Sequence, residues 1–530
     1  MERKGCNATV QIQSAFYPLT ANLAEHPALV EVIVQGDGWK YPLTLSLSQF
    51  KAKEIQKQCP LLRFQNRKAQ AVFDESLITD LLAGLKDGTI QRGYLFDKGG
   101  ANILPDGRLC FVHGSELLGV CGRPYRIAPQ ISGVRLRGNG EPLSRLLPLL
   151  EESPPQVLLV LAHIVLTTIR SLLVEDGIDL QAVLYIVGGQ GLGKTTLATR
   201  VAGIYEKDGK PAGIVQAGST YAAVNALMTG LRDQPVIIDD LCLSVSRDTA
   251  RKRVELASKL IRQGTGCIPI IKQTGKTTVE LPCEAGLILT AEFPLKNLSD
   301  LTRCIIVPVK KPLNIPDELT PELIGNAIRH YSRWFTEHYQ EELPRFRNIV
   351  DHAVEGAKAD IRMATNYACL KAAFLSFLRS LCSLGVPARI GEPAISRMDR
   401  AILKATKEHQ SMMEQIKETI PLGNLSYCIM EGYKANAFQL AEKKKDLSEK
   451  DGILWQNDLC LRREALIRFV RLQPGYQNWS SNRITRALKD IGALVLQEEN
   501  AATVRLSNKA NVPRVYRIRL SVLKETAKKY

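Results

Sequence analysis

Glycines crowd the run Gly188-Gly189-Gln190-Gly191-Leu192-Gly193, and Lys194-Thr195-Thr196 closes it. Glycines at this spacing before a Lys-Thr pair make a loop for phosphate groups. Without Cβ atoms in the way, backbone N–H groups can converge on phosphate oxygens. Lys194 would reach the β- and γ-phosphates of ATP, and the Thr195 hydroxyl would ligate Mg²⁺. Composition alone would produce this pattern roughly 0.02 times in a chain of this length, so chance explains it poorly. Forty-five residues after Lys194 comes Val236-Ile237-Ile238-Asp239-Asp240, an apolar run ending in two carboxylates. Asp239 is placed to hold Mg²⁺, directly or through water, and Asp240 to polarise the attacking water.

These groups need elements that present them together. Val183-Leu184-Tyr185-Ile186-Val187 reads as a buried strand leading into the glycines, and a helix follows from Leu197. The helix start adds a dipole favourable to phosphate. From residue 181 to about 309, apolar strands alternate with helices, the signature of a parallel α/β core. A further strand, Gly286-Leu287-Ile288-Leu289, ends in Thr290, and Asp300-Leu301-Thr302-Arg303 precedes the strand Cys304-Ile305-Ile306-Val307. Residues 268–281 read as a hairpin with the basic tip Lys272-Gln273-Thr274-Gly275-Lys276.

The chain carries a formal net charge of +16 and a pI near 9.3. Nucleic acid is the partner this excess favours, ahead of an anionic membrane surface. Residues 453–530 hold fifteen Lys and Arg against six Asp and Glu, over half of the excess. Their pattern is that of a folded domain: a strand at 455–461, a helix at 462–471, and a helix at 482–491 capped by Ser480 or Ser481. At 100° per residue, Ile484, Ala487, Leu488 and Ile491 share one arc, while Arg483, Arg486 and Lys489 share another. Strands are expected at 493–497 and 512–520, with Arg505 and Lys509 between them and Arg514, Arg517 and Arg519 along the last. Helix, recognition-like helix and basic hairpin is the order of a winged helix, which binds DNA and in other cases protein.

The rest is less explicit. Residues 1–150 read as a mixed domain of short strands and turns, with one helix-like stretch near 77–85 and His113 as a turn or core histidine. Thr320-Pro321 should cap a helix carrying Ile324, Ile328, Tyr331 and Phe335. A second helix is expected at 369–384, stopped by Gly385, and the charged run 442–450 reads as a linker or exposed helix. The domains expected are therefore 1–150 (mixed), 151–312 (P-loop ATPase core), 313–452 (helical region and linker) and 453–530 (winged helix). The twelve cysteines show no CxxC pair or zinc-ligand spacing. With no signal peptide at the start, a reducing cytoplasm is the expected compartment. The apolar stretch 157–174 is interrupted by His163 and Arg170, and reads as a buried helix rather than a membrane span.

The order of GGQGLGKTT, VIIDD, AGLILTAEF, the hairpin, LTRCIIVPV and the terminal winged helix resembles the AAA+ helicase-like proteins of mobile genetic elements. These include the cassette chromosome helicases of staphylococcal elements, which are similar to MCM helicases. The run from Leu104-Pro105-Asp106-Gly107 to Phe111-Val112-His113-Gly114 resembles the domain that precedes their ATPase. The resemblance implies an α/β AAA+ core and a ring, a hexamer, that loads at a replication origin, unwinds DNA, and meets other replication proteins of the element. It implies that Thr290 orients water near the γ-phosphate and that Arg303 completes a neighbour's site as an arginine finger, with Arg247, Arg251 and Arg253 as competitors. It also implies that the hairpin enters a central pore, where Lys272 and Lys276 grip DNA. Most AAA+ proteins have Glu where this chain has Asp240, which is one methylene shorter. Two other readings stay open: a loader that remodels a partner helicase, and a DNA-binding regulator switched by ATP.

Overall fold

Five short apolar runs pair side by side into one parallel sheet. Its order across is Ile214–Gln216, Pro235–Leu241, Gly286–Ala291, Val183–Gly188 and Cys304–Val309. We call these the edge, acidic, threonine, loop and flanking strands. The middle three and the flanking strand are almost wholly buried, as expected of strands covered on both faces. All five run the same way, so their C-terminal ends share one rim.

This computed structural model describes residues 6–530 apart from 20–25, 139, 141, 243–246, 275–276, 296, 358–359, 386–387, 420–424, 474–475, 477–478, 497–502, 507–512 and 528–530. The packing divides the chain into two units, Met1–Leu295 with Ser299–His409, and Lys296–Leu298 with Gln410–Tyr530. The apolar stretch before the sheet forms the helix Pro155–Thr168, buried from Val157 to Thr168. It lies so close to the threonine strand that a Cβ on Gly286 would come within 2.0 Å of Thr167 Oγ1. Among the described residues, no helix is long and apolar enough to cross a membrane.

In the first 130 residues, Thr9–Pro18, Leu29–Gly36 and Trp39–Ser46 form an antiparallel sheet extended by Gln91–Phe96 and Tyr125–Ile127. A short helix, Ala52–Gln58, precedes the long one here, Arg67–Asp87, which runs well beyond the stretch expected near 77–85. Phe73, Leu77 and Leu81, four residues apart, bury one face of it against the sheet. Its polar remainder hides the periodicity from a sequence reading, but Asn66 caps its start and Gly88, at φ 78°, ends it. His113 is a core histidine: its ring nitrogens meet Tyr205 Oη at 2.8 Å and Ser332 Oγ at 2.9 Å, and burial pushes its pKa down to about 3.

Beyond the sheet, Pro321–Glu355 begins as expected, with the Thr320 side chain accepting from Leu323 N. The next helix, Ile361–Cys382, starts eight residues before the expected 369, because Asp360 caps Arg362 N and Met363 N.

The second unit holds the sheet Leu440–Ala441, Gly452–Trp455, Asp458–Arg462 and Val515–Arg519. The strand expected at 455–461 is in fact a hairpin. Its turn is Gln456-Asn457, at φ 51° and 64°, the backbone of a two-residue connection. Helices Arg463–Leu472 and Ser481–Asp490 pack Leu466, Val470, Ile484 and Leu488 onto this sheet, and Ser480 is the cap of the second. No strand spans 493–497 among the described residues; Leu494 makes a single bridge to Ile518, and Val504 one to Val515. The charged run 442–450 is neither linker nor free helix. It contains the 3-10 turn Lys444–Ser448, whose Leu447 is fully buried inside this unit.

Candidate nucleotide site

The loop strand ends at Gly188 and the helix Lys194–Ala202 begins six residues later. Gly191 and Gly193 sit at φ 74° and 87°, a region that side chains with a Cβ avoid, so the turn requires glycine at both. Leu313 N donates to Leu192 O at 3.3 Å and holds the loop from the flanking side. Lys194 is 9% exposed, and its Nζ donates to Gly189 O at 2.7 Å. The cation therefore lies folded across the loop whose backbone surrounds it.

The acidic strand meets this loop through Asp239, a residue only 4% exposed. Thr195 Oγ1 donates to Asp239 Oδ1 at 2.9 Å, and Thr290 Oγ1 donates to the same oxygen at 2.5 Å. Gln216 Nε2, from the end of the edge strand, lies 3.4 Å from Oδ2. Four elements thus converge on one carboxylate. Sequence reasoning missed Gln216, because an amide directly after the apolar pair Ile214-Val215 carries no signal of its own.

The pairing of the acidic and threonine strands shifts register between Ile238 and Leu241, so Asp239 and Asp240 together face Thr290. This is a β-bulge, a device that re-aims side chains. Asp240 takes φ 66°, unusual for a residue other than glycine, and its side chain is exposed. Its N–H donates to Thr290 Oγ1 at 3.0 Å. The hydroxyl is donor to Asp239 and acceptor from Asp240, which a single Thr can satisfy. Besides standing at the rim, Thr290 therefore staples the bulge.

Arg303 is elsewhere. Cys304 pairs with Val183 and Val309 with Gly188, so Arg303 stands at the rim where the strands begin. The flanking strand separates it from the glycine loop by about 20 Å. Arg303 Nε lies 2.9 Å from Cys267 Sγ, and Nη1 donates to Ser299 O and Ser299 Oγ. Arg253 Nη1 donates to Ala217 O at 2.5 Å, while the side chains of Arg247 and Arg251 lie outside the described residues.

The hairpin is Ile270–Thr274 paired with Thr277–Leu281. Lys272 is exposed on it, opposite Val279, and Ile271 is 60% exposed. Lys276 lies outside the described residues, as does Lys509. In the second unit Arg483, Arg486, Arg505 and Arg514 are exposed and Lys489 is partly so. Arg483 stacks over the Trp479 ring at 4.3 Å. Arg517 differs from the rest: it donates to Asp458 Oδ2 at 2.7 Å and Gln456 Oε1 at 3.0 Å, across the strand pair. Alternation put it among the phosphate-facing arginines, but its neighbour across the sheet holds it.

The donor set fits Mg²⁺ with a nucleotide. One carboxylate and one hydroxyl beside a phosphate loop suit a cation that keeps its waters and takes phosphate oxygens. Among the described residues no group of three or more His, Cys, Asp or Glu could hold a metal by itself.

No protein-family model matches the sequence, and no curated protein matches it. Among solved structures, one described as "SCCmec type IV Cch - active helicase" aligns over 98% of this chain and 95% of its own, with TM-score 0.52 and 13% identity. A second, the JCV helicase with a bound inhibitor, aligns over 50% of this chain and 65% of its own, with TM-score 0.20 and 13% identity. The full-length likeness to the first gives the chain a helicase-like fold.

Proposed function

We propose that this chain is an ATP-dependent DNA helicase, or replication-initiation ATPase, of a mobile genetic element. In this reading it has a AAA+ P-loop core and a C-terminal winged helix, and works as a hexameric ring. The observation that carries the nucleotide site is the Asp239 carboxylate, joined by the hydroxyls of Thr195 and Thr290 at 2.9 and 2.5 Å. It ties the end of the acidic strand to the first turn of the helix after the glycine loop.

Residues 188–196 would hold the phosphates, with Lys194 Nζ leaving Gly189 O to meet β- and γ-phosphate charge. Thr195 and Asp239 would hold Mg²⁺, which when bound neutralises charge on the phosphate oxygens. Thr290 keeps the Asp239 carboxylate aimed by its hydrogen bond, and a carboxylate at the rim accepts the proton of the attacking water. The sequence pattern gives that task to Asp240.

Arg303 cannot serve its own subunit's nucleotide from about 20 Å away. An arginine finger at this position acts on a neighbouring copy, which is the reason for favouring a ring. Among the described residues the hairpin Ile270–Thr274/Thr277–Leu281 pairs only with itself and exposes Lys272 and Ile271, as suits a ribbon that touches DNA. In the second unit Arg483, Arg486, Lys489, Arg505 and Arg514 would meet phosphates of duplex DNA, single-stranded DNA being the pore's substrate.

Steady-state ATP turnover of the purified chain, with and without single-stranded DNA, tests this. We expect turnover that DNA stimulates and that Lys194→Ala abolishes. Turnover that DNA leaves unchanged, in a chain that binds DNA tightly, would favour an ATP-switched regulator.

A further inference from the structure

Residues 51–68 carry six cations, Lys51, Lys53, Lys57, Arg63, Arg67 and Lys68, against one carboxylate, Glu54. All six are exposed. They lie on the short helix Ala52–Gln58, the loop after it and the first turn of Arg67–Asp87. Two contacts set these helices side by side and antiparallel: Ala52 N donates to Asp74 Oδ1, and Gln70 Nε2 donates to Gln56 Oε1 at 3.4 Å. Asn7 pins the loop between them, accepting from Arg63 N at 2.8 Å and donating to Leu61 O at 3.1 Å. On the inner side Ala52, Ile55, Cys59 and Leu62 are wholly buried, so the layer turns its cations outward.

The placement of these charges works against the helix that bears two of them. A helix start is the positive end of its dipole and favours acids. Arg67–Asp87 has no acid in its first turn and carries Arg67 and Lys68 there, while Asp74, Glu75 and Asp80 lie further along. Asp74 is already engaged by Ala52 N. Lys57 reaches Glu54 only at 3.9 Å, and the side chains of the other five have no hydrogen-bond or ion-pair partner among the described residues. Like charges this close repel one another, and an external polyanion would offset that repulsion. The face extends about 10 Å along the short helix and about 8–10 Å across to the long one. Duplex DNA carries roughly six charges over such a length.

We propose that this face binds the phosphate backbone of duplex DNA, as a contact additional to the arginines of the second unit and indifferent to base sequence. The choice of DNA among polyanions rests on the reading of the chain as a DNA-acting ATPase. Single-strand bases would find no free ring to stack on here, since Phe64 packs edge-on against Phe73 at 5.0 Å. A bilayer would find no apolar face, since Leu61 is the one large apolar side chain exposed between residues 51 and 68. Phosphate contacts of this kind hold a protein on the duplex and read no sequence.

The test uses the full chain carrying Lys53→Gln, Lys57→Gln, Arg67→Gln and Lys68→Gln together. A control carries the same change at Lys86, Lys207, Lys210 and Lys404, which are exposed elsewhere. Binding to a labelled duplex of arbitrary sequence is titrated at several salt concentrations. The quadruple variant should bind about tenfold or more weakly at low salt, and its slope of log K against log salt should fall by about two to four. The control should shift the slope by less than about one. ATP turnover without DNA should match the parent, and Tm should hold or rise, because the long helix loses two unfavourable charges at its start. Should the quadruple variant melt lower, Arg67→Gln with Lys68→Gln alone decides, with a slope change of about one to two. A variant that keeps the parent's slope, or a control that loses as much, overturns the proposal. So does unchanged duplex binding with lost sedimentation on phosphatidylserine vesicles, which would make the face a membrane contact. If the parent binds no DNA at all, the DNA-acting reading falls together with this inference. A parent that binds duplex through Arg486, with the quadruple variant binding equally well, removes this inference alone.

Discussion

Replacing Thr290 by Val removes one oxygen and keeps the shape of the side chain. Thr290 is 1% exposed, so the new methyl sits where water cannot compensate. Two bonds are lost. The bond to the Asp239 carboxylate, at 2.5 Å, is of the charged kind worth about 1.5–3 kcal/mol net. The N–H of Asp240, 3.0 Å from the hydroxyl, loses its acceptor in a part-buried setting, at a further cost of about 1 kcal/mol or more. Together the change should destabilise the larger unit by about 2–4 kcal/mol, a fall in Tm of about 4–12 °C. Thr290→Ser keeps the hydroxyl and gives up one methyl, costing about 1 kcal/mol. The assay is thermal unfolding of the full chain followed by ATP turnover below the transition. If the Val variant melts with the parent while the Ser variant melts lower, the hydroxyl does not hold the bulge.

Three more outcomes follow from particular contacts. Arg486→Ala should weaken DNA binding and reduce the salt slope by about one, whereas Arg517→Ala, whose guanidinium is held by Asp458, should leave the slope alone; DNA-binding titrations at several salt concentrations decide it. Arg303→Ala should bind ATP yet hydrolyse it poorly, and mixing it with Lys194→Ala should restore some turnover in co-assembled rings; no recovery would give Arg303 a role within one subunit. Burial pushes the pKa of His113 and His163 down to about 3 and that of His409 to about 4, so each stays neutral in the fold while the unfolded chain titrates near 6.5. Folded pKa values below the unfolded ones mean stability is complete above pH 6.5 and lost as pH falls, by about 2 kcal/mol per histidine at pH 5. His163→Leu should therefore show a smaller fall in Tm between pH 7 and 5 than the parent, and an equal fall would contradict the assignment.

What the sequence made legible was local. The glycine loop, Lys194 and Thr195 lie within nine residues, and their spacing alone implies the turn that the backbone adopts at Gly191 and Gly193. Thr320 and Ser480 cap the helices their positions promised, since a cap acts on amides three residues away. What the sequence hid depended on distant partners. An Asp at φ 66° has no signature, so the bulge at Asp239-Asp240 and its staple by Thr290 emerge only once two strands are aligned. Arg517 looked free because Asp458 lies 59 residues away. Gln456-Asn457 lacks the glycine that usually marks a tight hairpin, so two strands read as one.

The central claim is that this site powers DNA unwinding, and a strand-displacement assay on forked DNA with the purified full chain tests it most directly. The account predicts ATP- and Mg²⁺-dependent release of the displaced strand with no other protein added, lost in Lys194→Ala and sharply reduced when Lys272 and Lys276 are both replaced by Ala. DNA-stimulated ATP turnover without strand release, with unwinding restored only by a partner helicase, would contradict it and make the chain a loader.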